Sequence, residues 1–369
     1  MSPDLPAPAA AEPPSRKTMR SWLLPHVQRS TARAVALVLT DTLLFAAITS
    51  AVVVVPSLWL KLLLGVLSGL VIGRLFIIGH DACHQSLTSR SRFNTIVGRA
   101  VFLPSLTPYS LWETGHNVIH HGYTNLRGTD FVWAPLSRDE YQALSPTARW
   151  RERVYRSGWA PGLYYGVEIW WKRLFFPSAR YMPTRRAVFT RDSAAVLAFA
   201  LLWIALLLST ARLTEQSPAL LLVAGFVLPQ LVWNSLIGFV VYVHHTHRDI
   251  AWHQSKAQWL AAQPFVTTTV HLRFRRWLGV DIGAALHHIM EHTAHHVDMR
   301  IPLYRLRHAQ QLLEQRMPGR IVVQDFTWRW YFKTAKACKL YDFDRQQWTD
   351  FDGRPTATTS STTVIGAAA

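Results

Sequence analysis

Apolar residues gather in this chain into runs longer than a soluble core needs. Ala34 to Val55 is apolar except for Asp41 and a few hydroxyls, and Pro56 ends it. Leu58 to Ile78 follows after Pro56 and Ser57, with Lys61 near its start and Arg74 near its end, where long basic side chains can snorkel to the surface. Roughly 20 such residues cross a bilayer as a helix. The pattern therefore predicts spans over 34–55 and 58–78 joined in a tight hairpin. Ala194 to Ser209 and Leu220 to Val243 predict two more, the last containing Pro229, Gln230 and Asn234. The brief link from Thr210 to Ala219 makes them a second hairpin. The fold class expected is all-α integral membrane: four transmembrane helices in two hairpins.

Between and around the spans the pattern changes. Phe102 to Trp112 is apolar but broken by Pro104 and Pro108, which places it at the surface rather than across the membrane. Gly158 to Phe176 mixes Trp159, Trp170, Trp171, Phe175 and Phe176 with Lys172 and Arg173, the mark of a helix lying in the interface, or else of a core helix in the cap. Met1 to Lys17 is Pro/Ala-rich without a signal-type apolar core, so 1–33 reads as a disordered basic leader. Residues 354–369 are Thr/Ser/Ala-rich and read as a disordered tail. The organised part is then 34–353.

Charge sets orientation. The leader carries Arg16, Lys17, Arg20, Arg29 and Arg33, the middle segment and everything after His244 are basic, and the two short links hold almost no Lys or Arg. The positive-inside rule puts both termini and the middle segment in the cytoplasm, in a protein expected in a bacterial inner membrane. A formal charge of +17 suits anionic lipid headgroups and an acidic partner protein. No helix-turn-helix, finger or RNA-binding signature accompanies it, so no nucleic-acid partner is expected. Two cysteines, Cys83 and Cys338, cannot build a disulfide framework, and Cys83 reads as a packing residue.

The chemistry lies in histidines. His80 and His84 follow the second span at i, i+4. His116, His120 and His121 stand at i, i+4, i+5. His292, His295 and His296 stand at i, i+3, i+4, within Ala285–His296, which also holds His287 and His288. If that segment is helical, the three box histidines share one face and His288 lies one turn back on it. His26, His253, His271 and His308 stand alone and read as structural or merely exposed. All three clusters fall on the cytoplasmic side of the predicted topology. Imidazole suits Zn, Cu, Fe and Ni. A structural zinc takes four ligands and usually includes Cys, so eight imidazoles imply two ions, and few carboxylates beside a membrane bundle favour redox iron.

These residues carry a resemblance. Gly79-His80-Asp81-Ala82-Cys83-His84, His116-Asn117-Val118-Ile119-His120-His121 and His292-Thr293-Ala294-His295-His296 resemble the boxes of the membrane fatty acid desaturases of the integral-membrane diiron superfamily, nearest the omega-6 (delta-12) acyl-lipid type. Thr124-Asn125, Asp130-x-x-Trp133-x-Pro135, His245-Thr246-His247, Tyr341-Asp342-Phe343 and Trp348-Thr349-Asp350-Phe351-Asp352-Gly353 extend it, so that it covers roughly Leu58 to Gly353. One departure stands out: three residues separate His116 from His120, where that subfamily more often has two. The resemblance implies two iron ions held by the eight box histidines under a helical cap, dioxygen as co-substrate, and a cis double bond as product. It implies a ninth ligand, with His245 favoured and His288 competing, while His244 and His247 read as interfacial polarity. Asp81, Glu113, Asp130, Glu291 and Asp298 are candidates to hold the far nitrogens of the ligands. The substrate is expected to be an acyl lipid or acyl carrier. No His-Pro-Gly-Gly haem motif is present, so electrons come from a separate donor such as ferredoxin. The alternatives are an alkyl or carotenoid hydroxylase or ketolase of the same superfamily, and a membrane metal transporter. The spans argue against the transporter, since they hold only Asp41 and Arg74 as strong ionisable candidates.

Overall fold

A computed structural model describes residues 14–182, 184–276 and 279–357. It contains four helices long and apolar enough to cross a membrane: Thr31–Val54, Leu58–Cys83, Ala187–Leu213 and Pro218–His245. We label the leading helix Arg16–Leu23 α1, the first two long helices α2 (Thr31–Val54) and α3 (Leu58–Cys83), then α4 (Ser91–Phe102) and α5 (Tyr109–Glu113). The third long helix is α6 (Ala187–Leu213), and α7 (Leu228–His245) is the regular part of the fourth. Ser30 and Ser57 cap α2 and α3 by accepting from Arg33 N and Leu60 N.

The helix carrying His80 is the centre of the bundle. Its lower half shows glycine at every fourth position, Gly65, Gly69 and Gly73, a small-residue stripe that lets helix backbones approach closely. A Cβ on Gly69 would stand 2.6 Å from Val232 Cβ and 2.7 Å from the Pro229 carbonyl, so α3 and α7 pack in direct backbone contact there. Ser57 and α7 thereby fix the ends of a rigid post whose last turn presents histidines.

The charged residues Asp41, Lys61 and Arg74 inside the first two spans all have partners. Asp41 of α2 is fully buried, and Arg74 of α3 donates to its Oδ1 from Nη2 at 2.7 Å and from Nε at 3.1 Å. Lys61 reaches the Val52 and Val53 carbonyls at the end of α2, at 2.6 and 3.1 Å. Snorkelling is thus replaced by capping of a neighbouring helix.

Three expectations change. The leader read as disordered over 1–33 forms α1, whose Met19 and Leu23 are buried, while 1–13 fall outside the described residues. Its amphipathic pattern is too short to show in a hydropathy reading, but its apolar face has a partner here. In the tail, Pro355–Ala357 is the edge of a three-stranded antiparallel sheet with Gln347–Thr349 and Leu340–Asp342, and 358–369 fall outside the described residues. Third, Gly158–Phe176 is a short helix, Pro161–Tyr164, continuing as a π-helix, Tyr165–Leu174. Tyr164, Tyr165, Ile169 and Leu174 are buried, whereas Trp159 and Trp171 are exposed, so it is a core helix on one face and has an exposed aromatic border on the other.

Candidate metal centre

Nine imidazoles converge where α3, the α5 continuation, α7 and a helix at His292–Val297 (α8) meet. They fall into two groups. His80, His84, His116, His121 and His295 form one, and His120, His245, His292 and His296 the other; within each, one ligand atom per residue lies within 4.8 Å of all the rest. In the first group the Nε2 atoms of His80 and His116 are 2.8 Å apart, those of His84 and His80 3.3 Å, His121 and His116 3.2 Å, and His295 and His121 3.0 Å. In the second, His245 Nε2 stands 2.8 Å from His292 Nε2 and 3.1 Å from His120 Nε2.

These spacings fit metal. An imidazole–metal bond is about 2.1 Å, so two ligands at right angles on one ion stand about 3 Å apart. Neutral imidazoles turning the same nitrogen to one point cannot all donate and accept among themselves, whereas a cation satisfies every lone pair. Burial, helped by the neighbouring imidazoles, holds His84, His116, His121, His292, His295 and His296 well below the usual histidine range. They are therefore neutral at physiological pH, as ligands must be.

The local backbone explains the sorting. From Thr114 to His120 the α5 continuation is π-helical, and His121 N donates to His116 O, five residues back. His116 and His121 consequently share a face, while His120 is turned to the second group. The third box also divides. His292 and His296 belong to the second group, but His295 belongs to the first, so the three do not gather on one face. Nor does the helix extend back to His288: the backbone at His287 and His288 is left-handed (φ 48° and 59°), and α8 begins only at His292. His288 instead donates from Nδ1 to Glu291 Oε1 at 3.0 Å, outside both groups. His245, from the end of α7, lies inside the second.

Among the candidate carboxylates the structure is selective. Asp130 accepts from His120 Nδ1 at 3.1 Å and is itself held by Asn125 N at 2.8 Å and Val132 N at 3.1 Å. Asp81 Oδ2 accepts from Leu303 N at 2.6 Å, tying the first box to the following helix Leu303–Arg316 (α9), and its Oδ1 is 3.7 Å from His80 Nδ1, too far for a hydrogen bond. Glu291 binds His288, and Asp298 binds Arg300 at 2.6 Å. Glu113 makes no hydrogen bond to an imidazole among the described residues. Of the five, only Asp130 is turned toward an imidazole of the two groups at bonding distance.

Several supporting groups were not legible in the sequence. The Thr268 carbonyl accepts from His245 Nδ1 at 3.0 Å, and Thr124 Oγ1 stands 3.3 Å from His296 Nδ1 while donating to the His120 carbonyl. Gln310 of α9 accepts from Ala294 N at 2.8 Å, capping α8 from outside. Arg16 of α1 donates to the His296 carbonyl at 2.8 Å and Arg20 to the Val297 carbonyl at 3.0 Å, placing cations at the C-terminus of α8, where the helix dipole favours them. His287 Nε2 donates to Asp41 Oδ2 at 2.5 Å, which pins the loop before the third box to α2. His244 and His247, expected as interfacial polarity, are buried. The His244 ring stacks on His292 with centroids 3.7 Å apart.

Below the two groups lies an apolar cavity lined by His80, His116, His244 and His292 at one end and by Gly73 and Leu236 at the other. Trp112 forms part of its wall and stacks on His116, with centroids 4.9 Å apart. Gly73 is seven residues before His80, so the cavity reaches about 10 Å from the imidazoles into the apolar part of the bundle.

Fold and site together define a helical protein in which two histidine groups that could each hold a metal ion are mounted on a bundle of membrane-type helices. Residues 57–328 match the family model described as fatty acid desaturase. The chain is 28% identical over 274 residues to the sn-1 oleoyl-lipid 12-desaturase of Synechocystis, covering 72% of each protein. It is 29% identical over 278 residues to the chloroplastic omega-6 fatty acid desaturase of Spinacia oleracea, covering 75% of this chain and 58% of that one. It is 26% identical over 284 residues to a Synechocystis protein named sn-1 acyl-lipid omega-3 desaturase (ferredoxin), covering 77% of this chain. The chain belongs to the fatty acid desaturase family, and is an oxidoreductase similar to members of the omega-6 type.

Proposed function

We propose that this protein introduces a cis double bond into an acyl chain of a membrane lipid, at the omega-6/delta-12 position, using dioxygen and a centre of two iron ions. The observation that carries the reading is the apolar cavity running from the two histidine groups down between α3 and α7. In outline, two hydrogens leave adjacent chain carbons, and with two electrons and two further protons they reduce dioxygen to two waters. Bound iron would supply the redox chemistry. His80, His84, His116, His121 and His295 would hold one ion, and His120, His245, His292 and His296 the other.

What the chain's own residues contribute can be stated separately. The imidazoles offer Nε2 lone pairs and stay neutral. Asp130 and the Thr268 carbonyl fix the tautomers of His120 and His245 by accepting a hydrogen bond from Nδ1–H. Trp112, Phe76 and Trp233 wall the cavity, exclude water and leave an extended alkyl chain as the shape that fills it. The relative whose name includes ferredoxin, and the basic charge on the side of the histidines, support a separate acidic electron donor. The distribution of Lys and Arg supports placing termini and centre in the cytoplasm.

The test is the fatty acid profile of a host expressing the wild type beside His296→Ala. A new diunsaturated acid that disappears in the variant is the expected result. An unchanged profile from iron-loaded protein would exclude acyl desaturation in that host, and zinc in place of iron would overturn the assignment of the centre.

A further inference from the structure

A second cavity adjoins the histidines, distinct from the one between α3 and α7. Beside the histidine groups, Phe131 lines both a small cavity against His116, His120 and His245 and a wider vestibule at the surface. The vestibule is walled by the segment around 127–136, the helix Pro146–Tyr155 and the π-helix Tyr165–Leu174. Phe131 therefore separates outside from inside, backed by Gly115, where a Cβ would stand 3.5 Å from its ring.

The charges of this vestibule do not cancel locally. Asp130 is engaged by His120, Glu140 by Arg127 at 2.9 Å, and Glu152 by Arg156 at 2.8 Å. Glu168 pairs with Lys172 at 2.7 Å and has Arg151 at 3.9 Å. Arg173 and Arg180 are left without a carboxylate among the described residues. Arg173 lies over the Phe131 ring at 4.8 Å and over Tyr181 at 5.1 Å, and Arg180 lies over Tyr181 at 5.7 Å. Arg173 Nη1 also donates to the Glu168 main-chain carbonyl. Two guanidiniums without an ion-pair partner among the described residues thus gather around Tyr181, one of them over Phe131, and guanidinium groups suit a phosphate.

The surroundings indicate which kind of phosphate. Trp171 and Phe176, on and just after the π-helix that bears Arg173, are 60% and 49% exposed. Large aromatic side chains in such positions fit a membrane interface. The adjoining helix Pro161–Tyr164 packs directly on α7, where a Cβ on Gly238 would meet the Pro161 carbonyl, so the vestibule is joined to the spans. A soluble carrier would leave this aromatic border in water, whereas a lipid surface would cover it.

We propose that the vestibule is a headgroup site for an acyl phospholipid, with Arg173 and Arg180 holding its phosphate diester and Phe131 marking where the acyl chain turns inward. This rests on the reading of the chain as an acyl-lipid desaturase. The experiment uses the full-length protein in detergent, incubated with vesicles of phosphatidylglycerol or of neutral glycosyldiacylglycerol, with co-purifying lipid measured by mass spectrometry. Wild type retains phosphatidylglycerol, Arg173→Gln/Arg180→Gln retains roughly tenfold less, and Arg173→Lys/Arg180→Lys recovers part of it. Retention of the neutral lipid and iron content stay the same in all three, which shows that folding is intact. Equal phosphatidylglycerol retention by wild type and the glutamine variant overturns the proposal. So does displacement of the lipid from wild type by acyl-coenzyme A, whose phosphates belong to a soluble carrier. Retention is read without turnover, so failure of this site and failure of the proposed reaction are distinguishable.

Discussion

His116 and His121 are five residues apart, yet their Nε2 atoms lie 3.2 Å from one another and belong to the same group. A π-helical turn makes this possible. One more residue per turn brings i+5 to where an α-helix brings i+4. The second box, which departs from the omega-6 pattern by one residue, therefore keeps its ligand geometry: the added residue is absorbed in the turn.

Deleting Val118, whose side chain is exposed on the outer face of that turn, should convert it to an α-helix with the shorter spacing. The expected result is a protein that still binds two equivalents of iron. Inserting Ala between Ile119 and His120 should rotate both following histidines away and lose about half the metal or more. Metal analysis of the two purified variants checks this.

The ninth ligand can be decided by metal content alone. His245→Ala removes a nitrogen that contacts both His120 and His292, and should lose the second ion and all turnover. His288→Ala removes only a contact to Glu291 and should keep both ions.

Asp130 holds His120 and is fixed by two backbone N–H groups, so Asp130→Asn keeps the shape but removes the charge that accepts the imidazole N–H. Metal affinity should fall by about 10–100-fold, measured by competition with a chelator. The same change at Glu113 should have no such effect.

Depth of the cavity should decide which chains react. A Cβ on Gly73 would stand 2.5 Å from Leu236 Cδ2, so a leucine there fills the far end. Gly73→Leu should retain iron, since the histidines lie about 10 Å away. Its turnover of long acyl chains should fall by roughly a hundredfold, with shorter chains less affected, as read from product profiles.

His253 supplies a pH test independent of the metal. Burial lowers it to about 4 and leaves both ring nitrogens without a hydrogen-bond partner. The folded protein thus takes up this proton later than the unfolded chain does, and stability falls as pH drops from about 6.5 toward 4. Above that window it contributes nothing to the pH dependence. His253→Phe should make the decline shallower by up to about 1.4 kcal/mol per pH unit, seen in unfolding midpoints across the window.

Sequence alone determined the spans and the three histidine boxes, because both are local. Hydropathy is a sum over neighbours in the chain, and a ligand pair at i, i+4 is written in consecutive residues. It offered Asp130 only as one of five carboxylates near the boxes, with nothing in the sequence to rank it above the other four. Only the tertiary structure decided how the imidazoles divide. His295 and His296, like His120 and His121, are adjacent in the chain and opposed in space, and helix phase assigns them only once the π-turn and the start of α8 are known. The left-handed backbone at His287 and His288 keeps His288 out of both histidine groups, a conformation that no periodicity announces. The contacts of Arg16 with His296 and of His287 with Asp41 join residues more than two hundred positions apart. Such pairs depend on where helices pack, and packing follows from complementary shape between distant segments rather than from pattern within either one.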